Sequence, residues 1–472
     1  MDNQSQDLIN IQEKSIETKQ LDFYDFLKNN NIRKKTKVRY IDLFAGMGGL
    51  RLGFEQGFND KGIETECVMT SEIKPYAIEV LKHNFSHKMI VGDITKIKEE
   101  EIPDFDILLA GFPCQSFSTA GNRLGFEDTR GTLFFDVARI LKYKKPYAFI
   151  LENVEGLVTH DLENKKDKIG KTLKTILNIL ENLGYILNWK VLDSKYFGVA
   201  QSRKRIFIVG TLDHKINLDN FPQKKAVLGD ILEFGKSTID SHFTKCLLSH
   251  FTKDELYGKS IKDKRGGKNN IHSWDIELKG TVSQEQKELL ENLLKQRRYK
   301  KWADEIGIKW MDGMPLTVEQ ISTFYKHDKL KELLDDLVEK GYLKLEHPKK
   351  EIEIKTESGK IIKKRQYDET KPKGYNIVAG KLSFEFSKIL DPNDITPTLV
   401  ATDINKLGVI DNTGIRTLTL REGLRLFGFP EEYSLDILNE ENTSINKGFD
   451  LLGNTVVVNV AREVSKRVAE IY

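Results

Sequence analysis

The sequence contains very few cysteines: Cys67, Cys114 and Cys246 lie far apart in a chain of 472 residues. None of them belongs to a C-x-x-C pair, which argues against a disulfide framework and against a zinc site, so we expect no bound metal. This cysteine usage is typical of a reducing intracellular compartment, where an isolated cysteine stays a thiol. We therefore expect a cytoplasmic protein with free thiols.

Long apolar runs and an excess of one charge are also absent. No run approaches the roughly 18 apolar residues of a membrane span, and the N-terminal MDNQSQDLINIQEK is too polar for a signal peptide. The 74 basic residues nearly balance 71 acidic ones, for a net charge of +3, so binding to a polyanion would need local basic patches. With 39% hydrophobic and 31% charged residues, the chain has the composition of a globular protein of two or three domains.

Short apolar runs alternate with amphipathic stretches from residue 38 onward. The predicted strands are VRYIDLF (38–44), CVMTSE (67–72), DILLAG (106–111), YAFILEN (147–153) and RIFIVG (205–210). This alternation implies crossover connections. It predicts an α/β fold with a doubly wound, mostly parallel sheet covered by helices on both faces.

The points where this alternation starts and stops indicate domain boundaries. Residues 1–37 are polar and are predicted to be an N-terminal extension with a short helix around LDFYDFL. A catalytic and cofactor-binding domain is predicted over 38–213. It is completed by 446–472, which carries a predicted terminal helix, NTVVVNVAREVSKRVAEIY. A second, smaller domain is predicted over 214–445.

The second domain is predicted to carry a helical insertion at about 281–348. Helical stretches are expected at 282–296 and within 316–347, where leucines recur with the period of a helix at Leu330, Leu333, Leu334 and Leu337. The pattern stops at Gly341, and YLKLEH and EIEIKT…GKIIKK then alternate like a small hairpin. Helices followed by a hairpin indicate a winged-helix-like insertion, and a helical insert without DNA contacts of its own is an equal alternative.

A glycine-rich turn follows the first predicted strand, in DLFAGMGGLRLGF. Such a turn lets backbone amides approach an adenosyl cofactor, although Gly46 and Gly48 depart from the G-x-G-x-x-G pattern because no third glycine follows at position 51. Glu72 ends the second strand, where an acid commonly binds ribose hydroxyls, and Asp93 ends the next and could meet an adenine amine. Each acid alone is more often a helix cap or a solvated charge. Together at successive strand ends they indicate a nucleoside site.

The next strand end carries Cys114. An isolated cysteine is usually an inert small hydrophobe. Here Pro113 ends the strand, and Gln115, Ser116 and Ser118 make the neighbourhood polar. The thiol is therefore expected to be accessible at the same edge as the glycine-rich turn.

Two further segments contain charged residues that are candidates for the functional site. Glu152 follows the apolar residues of its strand, so its carboxyl is expected to be partly buried, with a raised pKa suited to donating a proton near neutral pH. Arg203 and Arg205, in QSRKRIF, stand at the start of another strand. They are either a solvated basic run or side chains that reach inward.

Eight motifs in this order resemble those of the DNA (cytosine-5)-methyltransferase family of bacterial restriction-modification type. They are DLFAGMGG, GDIT, GFPCQSFS, DTRGTLFFD, ENV, QSRKR, RTLTLREGLRLFGFP and LLGNTVVVNV, and they cover about 38–213 and 416–472. The resemblance implies a Rossmann-like, S-adenosylmethionine-dependent fold with a target recognition domain in the gap between QSRKR and RTLTLRE. It also implies transfer of a methyl group to C5 of a cytosine within a specific short double-stranded DNA sequence, with S-adenosylhomocysteine as the other product.

The resemblance assigns a role to each candidate. Cys114 matches the nucleophile that adds to C6, Glu152 matches the group that protonates or hydrogen-bonds N3, and Arg205 matches the arginine that contacts the base. Arg203 is the neighbouring candidate, structural or phosphate-facing. The base that removes the C5 proton is not identified. The residues that match the family's cofactor site are Phe44, Gly46, Gly48, Glu72, Asp93, Ile94, Pro113, Leu133, Asn454 and Val456.

The chemistry requires the target cytosine to leave the duplex, because a stacked base cannot be reached on both faces. Residues 116–131 are glycine- and serine-bearing and suit a loop that closes on DNA. The residues expected to contact DNA are Gln115, Ser118, Arg130, Arg265, Asn269, Asn270, Thr398 and Leu399. Some of the restriction-modification methylases that the recognition segment resembles act on GATC-like sites, and the target sequence of this chain stays open.

The expected partners follow from this assignment. They are double-stranded DNA and a cognate restriction endonuclease that acts on the same site without direct contact. A monomer in the bacterial cytoplasm, associated with the nucleoid through DNA and not with a membrane, is expected.

Three other functions share features with this sequence. An RNA (tRNA) cytosine-5 methyltransferase shares much of the motif set, and a recognition segment of roughly 200 residues argues against it. A DNA-binding regulator would use the winged-helix-like insertion, but it would not need Cys114, Glu152 and Arg205. An NAD-dependent oxidoreductase is disfavoured by the missing third glycine.

Overall fold

A computed structural model describes residues 36–113, 133–162, 164, 166–355, 361–379, 384–412, 414–438 and 444–472. The chain divides into two compact units. Unit 1 comprises Met1–Ala226, Pro397–Ala401 and Gly423–Tyr472, and unit 2 comprises Val227–Thr396 and Thr402–Glu422. The helix expected around LDFYDFL lies outside the described residues, and the predicted domain boundaries stay a prediction.

The regular elements are numbered in chain order over the described residues. The strands are β1 (Lys37–Leu43), β2 (Glu64–Ser71), β3 (Ile90–Val91), β4 (Ile107–Ala110), β5 (Ala148–Val154), β6 (Ile186–Asp193), β7 (Lys204–Thr211), β8 (Ser260–Ile261), β9 (Asn270–Ile271), β10 (Leu343–Glu346), β11 (Lys349–Lys355), β12 (Ile361–Tyr367), β13 (Gly374–Ile377), β14 (Lys388–Ile389), β15 (Leu407–Asp411) and β16 (Gly414–Thr417). The helices are α1 (Gly49–Asn59), α2 (Pro75–Asn84), α3 (Leu133–Lys144), α4 (Lys171–Asn182), α5 (His242–His250), α6 (Lys253–Leu256), α7 (Gln284–Gln296), α8 (Lys301–Glu305), α9 (Val318–Ser322), α10 (Leu330–Glu339), α11 (Leu420–Leu426), α12 (Ser444–Asn454) and α13 (Val458–Ala469).

Unit 1 is built on a seven-stranded sheet in the order β3-β2-β1-β4-β5-β7-β6. Strands β1 to β5 pair in parallel, whereas β7 pairs antiparallel with both β5 and β6. Buried aliphatic and aromatic residues of the central strands, such as Ile41, Leu108 and Phe149, form its core. The predicted α/β fold with a mostly parallel sheet is confirmed.

The terminal helix α13 packs directly on α1, and glycines allow the close approach. A Cβ atom added at Gly53 would lie 2.5 Å from the Cβ of Ala461, and one at Gly57 would lie 2.6 Å from the carbonyl oxygen of Arg462. These glycines therefore bring the C-terminal segment against the first helix of the unit.

Unit 2 contains a five-stranded sheet, β16-β15-β14-β8-β9, and two antiparallel pairs, β10 with β13 and β11 with β12. One of its apolar clusters extends from Trp274 to Ile377 and includes Leu330, Leu334 and Leu337 on the buried face of α10. Helices followed by antiparallel strands are thus present, as the hairpin pattern predicted. None of the helices in the described ranges has the length and hydrophobicity that crossing a membrane requires.

Two local predictions for the insertion are wrong. The helical stretch within 316–347 is broken into α9 and α10, because aromatic side chains between them make tertiary contacts: the Tyr325 hydroxyl donates to the Glu285 carbonyl oxygen at 2.8 Å, and the Phe324 ring lies 6.2 Å from that of Trp302. The segment YLKLEH does not pair with EIEIKT. It supplies β10, whose partner is β13, while β11 and β12 form the hairpin.

Candidate active site

A cavity of about 870 Å³ lies in unit 1 at the carboxyl ends of β1, β2, β4 and β5. Parallel strands place their carboxyl ends at one edge of a sheet, and loops that leave this edge commonly form ligand sites. Of the ten residues predicted to bind the cofactor, those that line the cavity are Phe44, Gly46, Glu72, Asp93, Ile94, Pro113, Leu133 and Asn454. Gly48 and Val456 are not among the lining residues.

The turn after β1 has left-handed backbone at three positions, with φ of 56° at Phe44, 56° at Gly46 and 82° at Gly48. A Cβ atom at Gly46 would meet no described atom within 4 Å, whereas one at Gly48 would lie 2.5 Å from Cε2 of Phe85. The first glycine therefore keeps backbone accessible at the cavity, and the second allows the turn to pack on α2 and the residue after it.

Glu72 is held by the backbone around it. Its Oε2 accepts a hydrogen bond from the Gly46 amide at 2.7 Å, and its Oε1 accepts from the amides of Ile73 and Lys74 at 2.9 Å each. A carboxylate offers about four acceptor positions, so this one can still accept from hydroxyl groups in the cavity. The backbone fixes the carboxylate before any ligand arrives.

Asp93 is a cap as well as a lining residue. Its Oδ1 accepts from the amide and the hydroxyl of Thr95, at 3.1 and 2.7 Å. These hydrogen bonds lower the pKa of Asp93, and the one from the Thr95 hydroxyl has the largest effect. The carboxylate is therefore ionised at neutral pH and is presented at the cavity wall.

Glu152 and Arg205 form an ion pair inside the cavity, with Arg205 Nε 3.0 Å from Glu152 Oε1. The antiparallel register of β5 and β7 brings them together, because Val154 lies opposite Arg205. Burial raises the pKa of Glu152 despite the nearby guanidinium groups, as the sequence predicted, and burial lowers the pKa of Arg205. This carboxyl group can therefore hold a proton at a higher pH than an ordinary glutamate.

Arg203 also lines the cavity, but its guanidinium group is bound to the fold. The side chain is 2% exposed, and it donates to the carbonyl oxygens of Leu399 and Gly453 at 2.8 Å each. The Thr398 hydroxyl donates to the Ser202 carbonyl oxygen at 2.6 Å, and Leu399 is buried. The Thr-Leu pair, predicted to contact DNA, thus lies where it holds the Arg203 segment in place.

Sequence reasoning missed several lining residues. Ile73 is aliphatic yet 68% exposed, directly after Glu72, which suits an apolar contact with a ligand ring. Asn153 ties the end of β5 to the loop after β4, because its Nδ2 donates to the Phe112 carbonyl oxygen at 2.8 Å. A large aliphatic residue directly after a strand-end acid is a signal that could have indicated Ile73.

The structure describes only some of the residues predicted to react with or contact DNA. Cys114, Gln115, Ser118 and Arg130 lie outside the described residues. In unit 2, Arg265 and Asn269 are exposed.

Asn270 is the first residue of β9, directly after the loop that carries Arg265 and Asn269. Its Nδ2 donates to the Arg265 carbonyl oxygen at 3.0 Å and so closes this loop.

Comparison with known proteins adds independent findings. The family model for C-5 cytosine-specific DNA methylases matches residues 38–470. The chain is 61% identical over 431 residues to the Type II methyltransferase M.NlaIV of Neisseria lactamica, which covers 91% of this chain and 98% of that protein. It is 60% identical to the Type II methyltransferase M.NgoBV of Neisseria gonorrhoeae, with the same shares covered. It is 40% identical to the Type II methyltransferase M.BanI of Aneurinibacillus aneurinilyticus, over 91% of this chain and 95% of that protein.

Proposed function

We infer the roles of the site residues from one premise: the chain belongs to the C-5 cytosine-specific DNA methylase family, and it transfers methyl groups to C5 of cytosine in DNA. The resemblance carried by the eight ordered motifs is thereby confirmed. The comparisons give no support to an RNA methyltransferase.

The cavity fits S-adenosylmethionine, the methyl donor that this family uses. Gly46 leaves backbone accessible, Glu72 and Asp93 offer fixed carboxylates for the ribose hydroxyls and the adenine amine, and Ile73 offers an apolar surface. Phe44, Ile94, Pro113, Leu133 and Asn454 complete the proposed binding set. When bound, the cofactor supplies an electrophilic methyl group on a sulfonium sulfur.

Cytosine C5 is too poor a nucleophile to accept this methyl group unaided. We assign the thiolate of Cys114 to addition at C6, which pushes electrons into the ring. Glu152 protonates or hydrogen-bonds N3 and so stabilises the resulting enamine. The observation that carries this assignment is the buried Glu152–Arg205 pair in the same cavity as Glu72 and Asp93. Arg205 orients the carboxyl group and contacts the base.

The substrate is proposed to be a short specific sequence in double-stranded DNA, from which the target cytosine rotates out of the duplex. Exposed Arg265 and Asn269 of unit 2 are proposed to read base edges. A modification enzyme paired with a restriction endonuclease that cuts the same site is proposed because the relatives are named Type II methyltransferases, and the monomeric state stays a prediction. A cytoplasmic location stays a prediction.

Bisulfite sequencing of DNA from cells that express the chain tests this proposal. We expect protected cytosines in one short sequence context. Protection that is absent, or that follows no sequence context, would contradict the proposed function. A duplex with 5-fluorocytosine at the methylated position should become covalently bound to the protein in the presence of the methyl donor.

Cys114→Ser should abolish methylation because an alcohol is a far weaker nucleophile than a thiolate at neutral pH. Cofactor binding, measured by calorimetry, should stay at the wild-type affinity, since the predicted cofactor residues are unchanged. Methylation by this variant at a rate measurable above background would remove Cys114 from its role.

A further inference from the structure

Unit 2 contains a second cavity, of about 260 Å³, that belongs to none of the sites described above. Its walls come from the end of α7, the loop before α9, and strands β10, β12 and β13. Its basic lining residues are Lys264, Arg297, Lys344, Lys349 and Arg365. Two carboxylates, Asp312 and Glu346, also line it.

Arg297 is the buried member of this set, with 5% of its surface exposed. Its Nη1 donates to the Asn376 Oδ1 at 2.6 Å, and its Nε is buried without a hydrogen-bond partner among the described residues. Burial lowers its pKa to about 10, so the group stays charged at neutral pH. A buried cation bonded to a neutral amide is costly unless an anion compensates it.

The two carboxylates of the cavity already have cationic partners. Asp312 accepts two hydrogen bonds from Arg298, at 2.7 and 3.1 Å. Glu346 lies 2.7 Å from the ammonium group of Lys344 and also accepts from Asn376 Nδ2 at 2.7 Å. The two acids offset part of the charge of Arg297, but five basic side chains against two carboxylates leave the lining net positive.

Three of the cations have no such partner. Within the part of the chain that the structure describes, no carboxylate lies within ion-pair distance of Lys264, Lys349 or Arg365. Lys349 instead lies 4.9 Å from the ring centroid of Tyr367, an uncharged partner. The cavity thus combines one buried cation with three others that are free to meet an anion.

We propose that this cavity binds a phosphodiester group of the DNA backbone. The proposal rests on the DNA substrate of the proposed function, since DNA is the polyanion that this protein must hold. A phosphate oxygen suits lysine ammonium and arginine guanidinium groups equally, and such contacts add affinity without sequence preference. Arg297 directly follows α7 of the helical insertion, so under this proposal the insertion contacts DNA, the first of the two alternatives raised by its sequence.

The test compares two triple variants with the same change in charge. The cavity variant is Lys264→Gln, Lys349→Gln and Arg365→Gln. The control is Lys295→Gln, Lys364→Gln and Lys373→Gln, which removes three cations of unit 2 that do not line the cavity. Lys364 is the neighbour of Arg365 in β12, so their side chains point to opposite faces of this hairpin. If the cavity triple variant has a much lower Tm than the wild type, the single variant Arg365→Gln replaces it in the binding measurement, because Arg365 lies on an exposed strand.

Fluorescence anisotropy with labelled duplexes, over a series of salt concentrations, gives the readout. We expect the cavity variant to bind about tenfold more weakly at low salt and to lower the slope of log Kd against log salt by about 0.9, the value for one phosphate. The loss should be equal for duplexes with and without the methylated sequence. The control should keep the wild-type slope, and kcat at saturating DNA should be unchanged in both variants.

Three outcomes would overturn the proposal. In the first, the cavity and control variants have the same affinity and salt slope. In the second, binding weakens only for the duplex with the methylated sequence, which would indicate contacts to base edges. In the third, inorganic phosphate raises the Tm of the wild type but not of the cavity variant, while DNA affinity is equal, which would indicate a site for a free anion. Absence of methylation by the wild-type chain would instead count against the proposed function, because the binding measurement does not depend on turnover.

Discussion

The two cavities described above each contain an arginine that is at least partly buried, and the two arginines differ in their partners. In unit 1, Arg205 pairs with the carboxylate of Glu152 at 3.0 Å. In unit 2, Arg297 bonds to the uncharged amide of Asn376 at 2.6 Å. The first pair is close to neutral as a whole and suits a neutral base, whereas the second site keeps a net positive charge and suits an anion.

The comparison teaches that the partner of a buried arginine, more than the arginine itself, indicates what a site can bind. This difference between the two sites can be removed by giving the arginine of unit 1 an amide partner in place of its carboxylate. Glu152→Gln gives Arg205 an amide partner like that of Arg297, and the amide cannot donate an acidic proton to N3. We expect turnover, measured by transfer of tritiated methyl groups to DNA, to fall by about 10²-fold or more.

The control for this variant is the affinity for cofactor, which should change little because Glu72 and Asp93 are untouched. The pH dependence gives a second check. Since burial raises the pKa of Glu152, the wild-type rate should decline with rising pH where this group loses its proton. The same decline in Glu152→Gln, or a near-wild-type rate, would remove Glu152 from the reaction.

Replacement of Arg205 or Arg297 by methionine should affect the unfolding free energy in different ways at the two sites. Arg205→Met leaves Glu152 buried without its cation, which costs about 3 kcal/mol of unfolding free energy while Glu152 is ionised. The pKa of Glu152 should rise further in this variant. Because a folded-state pKa above the unfolded value means stability that is lost as pH rises, the loss should be larger at pH 9 than at pH 6.

Arg297→Met is the matched variant in unit 2. It leaves the Asn376 carbonyl oxygen without this donor, at a cost of about 1–3 kcal/mol, and the removal of a buried charge offsets part of this cost. Because the pKa of Arg297 is lowered only to about 10, this group is charged at both pH values, so the change in unfolding free energy should be the same at pH 6 and pH 9. Chemical denaturation at both pH values measures this, and an equal pH dependence in the two variants would contradict the distinction between the sites.

The two sites also differ in how far the sequence could predict them. Glu72, Asp93 and Glu152 were predictable because each ends a strand, and parallel strands bring their ends to one edge. Arg297 and Asn376 were not, because 78 other residues separate them and no periodicity relates a helix end to a distant strand. The break between α9 and α10 was missed for a similar reason, since Phe324 and Tyr325 follow tertiary contacts rather than local helix preference.

Asp42 is a buried acid that can be compared with the two arginines. Among the described residues, neither a charged group nor an amide forms a hydrogen bond with its carboxylate. It is 1% exposed in β1, beneath the glycine-rich turn, and neither carboxylate oxygen has a hydrogen bond among the described residues. Unlike an arginine, an aspartate can give up its charge, and burial raises its pKa from 3.8 to about 7. The stability linked to this proton is present below about pH 4 and is lost as the pH rises through about 7.

Asp42→Asn keeps the shape and removes the titration. We expect the stability gain of this variant over the wild type to be larger at pH 8 than at pH 5 by about 2–3 kcal/mol, because over this range the unfolded wild type is ionised while the folded protein keeps its proton up to about pH 7. The gain at pH 5, where the folded wild type still holds the proton on Asp42, should be smaller by this amount and provides the internal control. Urea denaturation at the two pH values measures the difference. A gain that is as large at pH 5 as at pH 8 would show that packing, and not the proton on Asp42, is responsible.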